Sequence, residues 1–357
     1  MGERNAIVTG SPGAVLDAVT GALRAAGLSV HHHTLRQAQG ERAEALPPPP
    51  VRSAELVVHL GVRTPRELDE EARTRVEVGA ARSAAQLARA LGAGRLVHVS
   101  TTAVYGRPRN LPCREGELKA PRTALERIRW RAEQASWAAF RRGAPVVVLR
   151  PALLYGPSLR GGPVRALSLV ALFNHGKRRV PILRRGPVAH LVHLADLARA
   201  VVHVALHADA RAVVGHAFNV ADEAPLPLAE HLAAALVSLG FQPGRILPTW
   251  PRFTAALLWS IRHVPDRTLL AAGNRRLSTR WTRLAGRTGV SGLLVPRVDR
   301  EALHWMSADH YYDTARLRAL GWRADHPVAP AAFPEIIRVL VAGGYLPGPG
   351  GSAPSAS

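Results

Sequence analysis

Arg95-Leu-Val-His-Val-Ser100-Thr101-Thr102-Ala-Val-Tyr105-Gly106 reads as a buried strand that ends in a cluster of hydroxyls and a glycine turn. Downstream, Pro145-Val-Val-Val-Leu-Arg150-Pro151-Ala-Leu-Leu-Tyr155-Gly156-Pro157 is a second β-branched run stopped by a Pro/Gly turn. Between the two lies a helical stretch, roughly Ala124 to Arg142, which contains Arg131-Ala-Glu133-Gln134. Working outward, further strand-like runs begin near Ala6, Leu28, Glu55, His190 and His216, and amphipathic segments follow most of them. That alternation predicts an α/β fold with a parallel, doubly wound sheet. One connection breaks the pattern: Gln37 to Ser53 includes Pro47-Pro-Pro-Pro50, and such a run cannot sit in a crossover helix. An extended linker or a shortened helix is expected there.

The chain has 357 residues, enough for a substantial core in one large or two smaller domains. Its single cysteine, Cys113, excludes an internal disulfide and fits a reducing compartment. No apolar run is long enough to cross a bilayer, and the chain enters a strand almost at once with no room for a signal peptide, so a cytoplasmic protein is expected. The formal charge of +21 is almost all arginine, because lysine occurs only at Lys119 and Lys177. A solvated basic surface, an anionic ligand and an anionic membrane surface are the open readings of that charge. No nucleic-acid-binding module is recognisable, and no nucleic-acid partner is expected.

Gly10 and Gly13 follow the first strand and open a helix in which Val15, Val19, Ala22, Leu23 and Ala26 share a face. Glycines in that context let a backbone approach a pyrophosphate at a helix N-terminus, although an ordinary strand-to-helix turn has the same look. Leu16 occupies the third glycine position and Pro12 removes an amide donor, which weakens the cradle. After the second strand, Val30-His31-His32-His33-Thr34-Leu35-Arg36 offers no acid for a ribose 2'-hydroxyl. Arg36 suits a 2'-phosphate and favours NADP over NAD, or else is a solvent-facing arginine at a strand end. Consecutive histidines on a strand point to opposite faces, so no metal site is expected there.

Together these segments resemble an extended short-chain dehydrogenase/reductase of the NAD-dependent epimerase/dehydratase family, over most of residues 5 to 330. The resemblance implies a Rossmann domain over 1–156 and a smaller C-terminal substrate lobe over 157–346, with 187–222 returning to the Rossmann sheet. It also implies a cofactor site that includes Gly10, Gly13, Arg36, Leu60, Gly61, Ser100, Arg129 and Pro151. In that family a tyrosine exchanges a proton with the substrate oxygen, a lysine four residues on lowers its pKa and holds the nicotinamide ribose, and a serine or threonine positions the oxygen. Matching Pro121 and Glu133 to the family's spacing puts Leu125 at the tyrosine and Arg129 at the lysine, while Thr101 keeps the hydroxyl. The family's asparagine on the preceding helix falls at Val76. Leucine cannot move a proton, and arginine does not titrate near neutrality but still binds ribose or phosphate. Tyr105 and Tyr155 are the nearest substitute donors, with packing beside a glycine turn as their other reading.

In the second half, His193-Leu-Ala-Asp196 resembles the family's return to the sheet, with Asp196 as N-cap of a helix from Leu197 to Leu206. Residues 250–300 depart from sugar-modifying members and are closer to the 3β-hydroxysteroid dehydrogenase branch. Phe253, Ala256, Leu257 and Ile261 share a helical face there, and a run of arginines follows. This segment lines a hydrophobic pocket, rests on an anionic membrane, or covers the core. The tail, 347–357, lacks large apolar residues and is expected to be disordered. Two classes stand. One is an NAD(P)-dependent oxidoreductase or epimerase with a relocated proton donor, acting on a small or hydrophobic hydroxyl or carbonyl substrate; the other is a non-catalytic nucleotide-binding descendant. A homodimer is compatible with either.

Overall fold

The computed structural model describes residues 4–33, 51–64, 68–177, 179–247, 270–291, 293–298, 302 and 305–348. Arg36, Pro47 to Pro50, the apolar face at 253–261 and residues 349–357 of the tail lie outside them. The described chain divides into two compact units.

The first unit comprises 1–152, 194–221 and 312–325. Its centre is a six-stranded sheet formed by β1 (Asn5–Thr9), β2 (Ser29–His33), β3 (Leu56–His59), β4 (Arg95–Val99), β5 (Val146–Pro151) and β10 (Ala217–Val220). The spatial order is β10-β5-β4-β3-β1-β2 and every pairing is parallel. Chain order reverses between β1 and β3, the crevice where doubly wound sheets bind ligands. Six of the seven expected strands are therefore in this sheet. The seventh, near His190, is β9 (Leu191–His193), which pairs with β6 (Leu153–Tyr155) instead.

Helices cover both faces, as a sheet of near-continuous Val, Ile and Leu requires. On one face α2 (Glu70–Ala90) packs against α3 (Ala124–Phe140), and their small residues Ala84, Ala88 and Ala139 meet Ile7, Val57, Leu96, Val146 and Val148. On the other, α1 (Ala14–Ala25) packs against α5 (Leu194–Val202). The start of α2 is fixed by Asp69, whose carboxylate accepts the Ala72 N–H at 2.7 Å, and that of α3 by a reciprocal capping box between Thr123 and Glu126. In α1 the buried residues are Leu16, Val19 and Leu23, so Leu16 rather than Val15 faces the sheet. Asp196 is not an N-cap: it lies within the first turn of α5, where its Oδ1 accepts the Asp325 N–H at 2.8 Å and pairs with Arg199.

The second unit comprises 153–193, 222–311 and 326–357. Its strands form three two-stranded pieces: β6 with β9, β7 (Arg179–Leu183) with β12 (Gln242–Leu247), and β8 (Val188–Ala189) with β11 (Leu226–Pro227). Its helices are α4 (Gly162–Asn174), α7 (Leu228–Ser238), α8 (Ala271–Thr288) and α10 (Ala329–Ala342), and its core joins Tyr155, Leu167, Trp281, Leu284, Phe333 and Ile336. Pro347, expected in the disordered tail, is buried, as is Leu346, whose N–H reaches the Leu340 carbonyl. Among the described residues no helix is long and apolar enough to cross a membrane.

Candidate functional site

The loops that leave β1 and β3 are stitched together at the crevice. Leu60 N–H donates to the Thr9 carbonyl at 2.8 Å, Ser11 N–H to the Gly61 carbonyl at 3.3 Å, and Arg63 N–H to Ser11 Oγ at 2.6 Å. Gly10 is required at this crossing: its φ is +154°, and a Cβ would stand 3.0 Å from Leu60 Cβ and 3.1 Å from the Gly61 oxygen. Gly13 caps α1 without any side-chain acceptor, which leaves the first turn of the helix to an external anion or water. Ser11 has spent its amide on Gly61 and Pro12 has none, so the cradle is narrower than two glycines suggest. The exposed Arg63 partly offsets this, because its Nη2 reaches 4.0 Å from the place of a Cβ on Gly13. No periodicity or motif marks that arginine in the sequence.

Across the same crevice, Gly61 has φ +76°, and a Cβ on it would collide with Nη1 of Arg129. The guanidinium therefore lies directly on the glycine backbone. It is held there by Glu77, whose Oε2 accepts from Arg129 Nη1 at 3.1 Å and from Val62 N–H at 3.4 Å. The Glu77 side chain is only 3 % exposed; burial pushes its pKa up, while Arg129 and the Val62 amide pull it back. Leu125, one turn earlier on α3, is half-buried and has no proton to give. Val76 packs against Val62 and Ala80, so the polar group that α2 supplies is its neighbour Glu77, which the residue matching passed over by one position.

The hydroxyls at the end of β4 go elsewhere. Ser100 Oγ donates to Glu133 Oε2 at 2.6 Å, and Glu133 also holds Arg150 through Nη2 at 2.6 Å and Nε at 3.1 Å. Arg150 Nη1 donates to Tyr105 Oη at 2.8 Å, and Tyr105 in turn donates to Asn219 Oδ1 at 2.8 Å. Both hydrogen-bonding roles of the phenol are thus filled, and burial raises its pKa further. Tyr105 is a structural member of a buried knot and not a spare proton donor. Thr101 Oγ1 accepts the Ala103 N–H at 3.2 Å and caps a short 3₁₀ turn, Thr102–Tyr105. Pro151 ends β5 opposite Val220. The Lys119 ammonium is engaged too, clasping the Glu115 and Glu117 carbonyls, each at 2.6 Å. Tyr155 is a core residue of the second unit, edge-on to Phe333 and His193.

Two histidines complete the face beneath α2 and α3. His59 and His98 are register partners on β3 and β4, their rings 5.2 Å apart. His59 Nδ1 meets Thr9 Oγ1 at 2.9 Å and His98 Nδ1 meets Ser136 Oγ at 2.8 Å. Burial, with Arg129 and Arg150 nearby, lowers the His98 pKa to about 3, and burial with His98 lowers that of His59. In both rings burial favours the neutral form.

Residues 6–221 match the model of the NAD dependent epimerase/dehydratase family. No curated protein matches the sequence. Solved structures do match, at low identity. A short-chain dehydrogenase/reductase superfamily protein from Agrobacterium tumefaciens with bound NAD is 18 % identical, with a TM-score of 0.61 over 95 % of this chain and 98 % of that one. RMD from Pseudomonas aeruginosa complexed with NADPH is 15 % identical, with a TM-score of 0.62 over 94 % and 97 %. The Bordetella bronchiseptica enzyme WbmG in complex with NAD and UDP is 17 % identical, with a TM-score of 0.61 over 96 % and 95 %. At these identities the likeness is one of fold.

Proposed function

The chain belongs to the NAD-dependent epimerase/dehydratase family, and we propose that its first unit binds a nicotinamide dinucleotide, NADP(H) before NAD(H), as a nucleotide-responsive protein that has lost the family's proton-transfer pair. The observation that carries this reading is Arg129 laid on Gly61 and tied to Glu77, a fixed cation where the family keeps a titrating lysine, with Leu125 in place of the tyrosine.

The residues present fit such a cofactor. Gly10 lets the loops after β1 and β3 cross and Gly61 leaves room for the Arg129 guanidinium, and the uncapped first turn of α1 with Arg63 offers donors to a diphosphate. Arg129 offers donors to ribose hydroxyls, and Arg36 replaces the acid that selects NAD. When bound, the nicotinamide supplies hydride exchange with a carbonyl or hydroxyl carbon. Neither Leu125 nor Arg129 can move the matching proton, a contribution typically of about 10² to 10⁴ in rate. The ligand class is a small molecule and the setting the cytoplasm, in keeping with a single buried thiol.

One observation favours a second reading, that of an oxidoreductase or epimerase acting on a hydroxyl or carbonyl substrate. Glu77 is a buried acid with a raised pKa in contact with Arg129, which makes it a candidate to replace the tyrosine in a proton relay. Fluorescence titration with NADPH and NADH tests the binding claim. NADPH is expected to bind more tightly, and Arg129→Ala to weaken it about tenfold, the worth of one charge-assisted hydrogen bond. Absence of binding by either nucleotide at saturating concentration would overturn it. Turnover at ordinary enzyme rates that disappears in Glu77→Gln would replace the first reading with the second.

A further inference from the structure

Helix α8 carries a feature that nucleotide binding does not use. From Arg267 to Val298 the sequence contains no Asp or Glu, while Arg276, Arg280, Arg283 and Arg287 recur along the helix. Steps of four, three and four residues return to one side of a helix, so these side chains form a single stripe about 16 Å long. All four are exposed. The rotation of the helix is fixed from the opposite direction, where Trp281, Leu284 and Thr288 are buried in the core of the second unit. Among the described residues none of the four has an acidic partner. Like charges at these spacings repel and weaken a helix, so the stripe is a local cost that an external anionic surface would relieve.

Beyond the end of the helix the chain also exposes apolar side chains. The helix ends at Gly289 with φ +70°, and the chain then turns back until Val298 meets Asn274 near the helix start, where the asparagine side chain accepts from the Val298 N–H at 2.9 Å and donates to its carbonyl at 2.8 Å. On this return Leu293 is 72 % and Val295 38 % exposed. Guanidinium groups bind phosphate oxygens bidentately, and aliphatic side chains beside them gain by entering the acyl boundary of a bilayer. A nucleic acid would satisfy the arginines but leave Leu293 exposed. It would also find no exposed aromatic on α8 on which to stack a base, because Trp281 is inside. We infer that the α8 face docks on the anionic lipid headgroups of a membrane surface, with Leu293 as its apolar contact.

Vesicle co-sedimentation of the full chain tests this, with phosphatidylcholine vesicles against vesicles containing phosphatidylglycerol at low and high salt. Binding is expected only to the anionic vesicles and is expected to fall with salt. Reversing the stripe in R276E/R280E/R283E/R287E should cut binding by well over about tenfold, at about fivefold per arginine. R276K/R280K/R283K/R287K, with the charge kept, should retain most of it. The control R82E/R89E/R141E/R142E reverses as many exposed charges on the first unit and should behave as the parent. Leu293→Ser leaves the charge alone and should weaken binding about fivefold. Circular dichroism verifies that each variant is folded. The proposal is overturned if the control loses as much as the stripe variant, if Leu293→Ser has no effect, or if poly(U) RNA binds more tightly than the vesicles.

Discussion

Arg150 and Arg129 both face a glutamate from a helix on the same face of the same sheet, and they serve opposite ends. Arg150 makes four hydrogen bonds, to Glu133, Tyr105 and the Glu115 carbonyl, and its side chain is 3 % exposed. Arg129 makes one, to Glu77, and is 28 % exposed at the mouth of the crevice. A buried guanidinium with four of its five N–H donors engaged is a structural part; one with most of its donors unspent at a crevice mouth can still meet a ligand. The difference lies in the surroundings, since the residue types are the same.

The comparison is most open to attack at the knot. Glu133→Gln strands a buried guanidinium and should lower the unfolding free energy by about 3–5 kcal/mol in a denaturant titration. The double replacement Glu133→Leu with Arg150→Met should lose less than the single one. A cost below about 1 kcal/mol for Glu133→Gln would deny the knot its structural role.

His98 feels both arginines, and acid reads it out. Its folded pKa of about 3 lies below the unfolded value near 6.5, so its contribution to stability is complete above pH 6.5 and is lost as pH falls toward 3. Stability should drop by up to about 1.4 kcal/mol per pH unit through that window on account of this ring. His98→Asn keeps a partner for Ser136 and should narrow the gap between pH 7.5 and pH 5 by about 2 kcal/mol. Equal gaps in parent and variant would mean that the ring is protonated in the fold.

The smallest effect is expected at the crevice. Glu77→Gln frees Arg129 into a region that water reaches, so its stability cost should be about 1 kcal/mol. Its main effect should be on NADPH affinity, measured by the same titration, because the guanidinium is no longer aimed along Gly61. An unfolding cost as large as that of Glu133→Gln would make the two pairs alike.

The features legible in the sequence were those set by local pattern. β-Branched runs located six strands of the sheet, the helix over Ala124 to Phe140 carried its own capping box, and Gly10 and Gly61 were marked by what only glycine does. What remained hidden depends on partners distant in the chain. Tyr105 was a candidate donor until its partner Asn219, 114 residues away, was in place. Glu77 was hidden behind a residue match that stopped at Val76, since spacing does not tell which of two adjacent helix residues turns inward. Strand β9 had the composition of a sheet strand, but the identity of its neighbour, β6, is a matter of topology. Arg63 belonged to no motif, and only the stitching of two loops brings it to the end of α1.

Asn219 also bears on how the chain matures. Its strand, β10, is the last to join the sheet and is translated only after residues 153–193 of the other unit have been made. Until it arrives, β5 is an open parallel edge, and Tyr105 and the Glu115 carboxylate, which accepts the Asn219 N–H, have no mate on that side. A nascent chain halted after residue 152 is therefore an unfinished sheet with a sticky border rather than a small independent domain. Completion of the first unit waits on synthesis of most of the second, which ties the quality control of one to the presence of both.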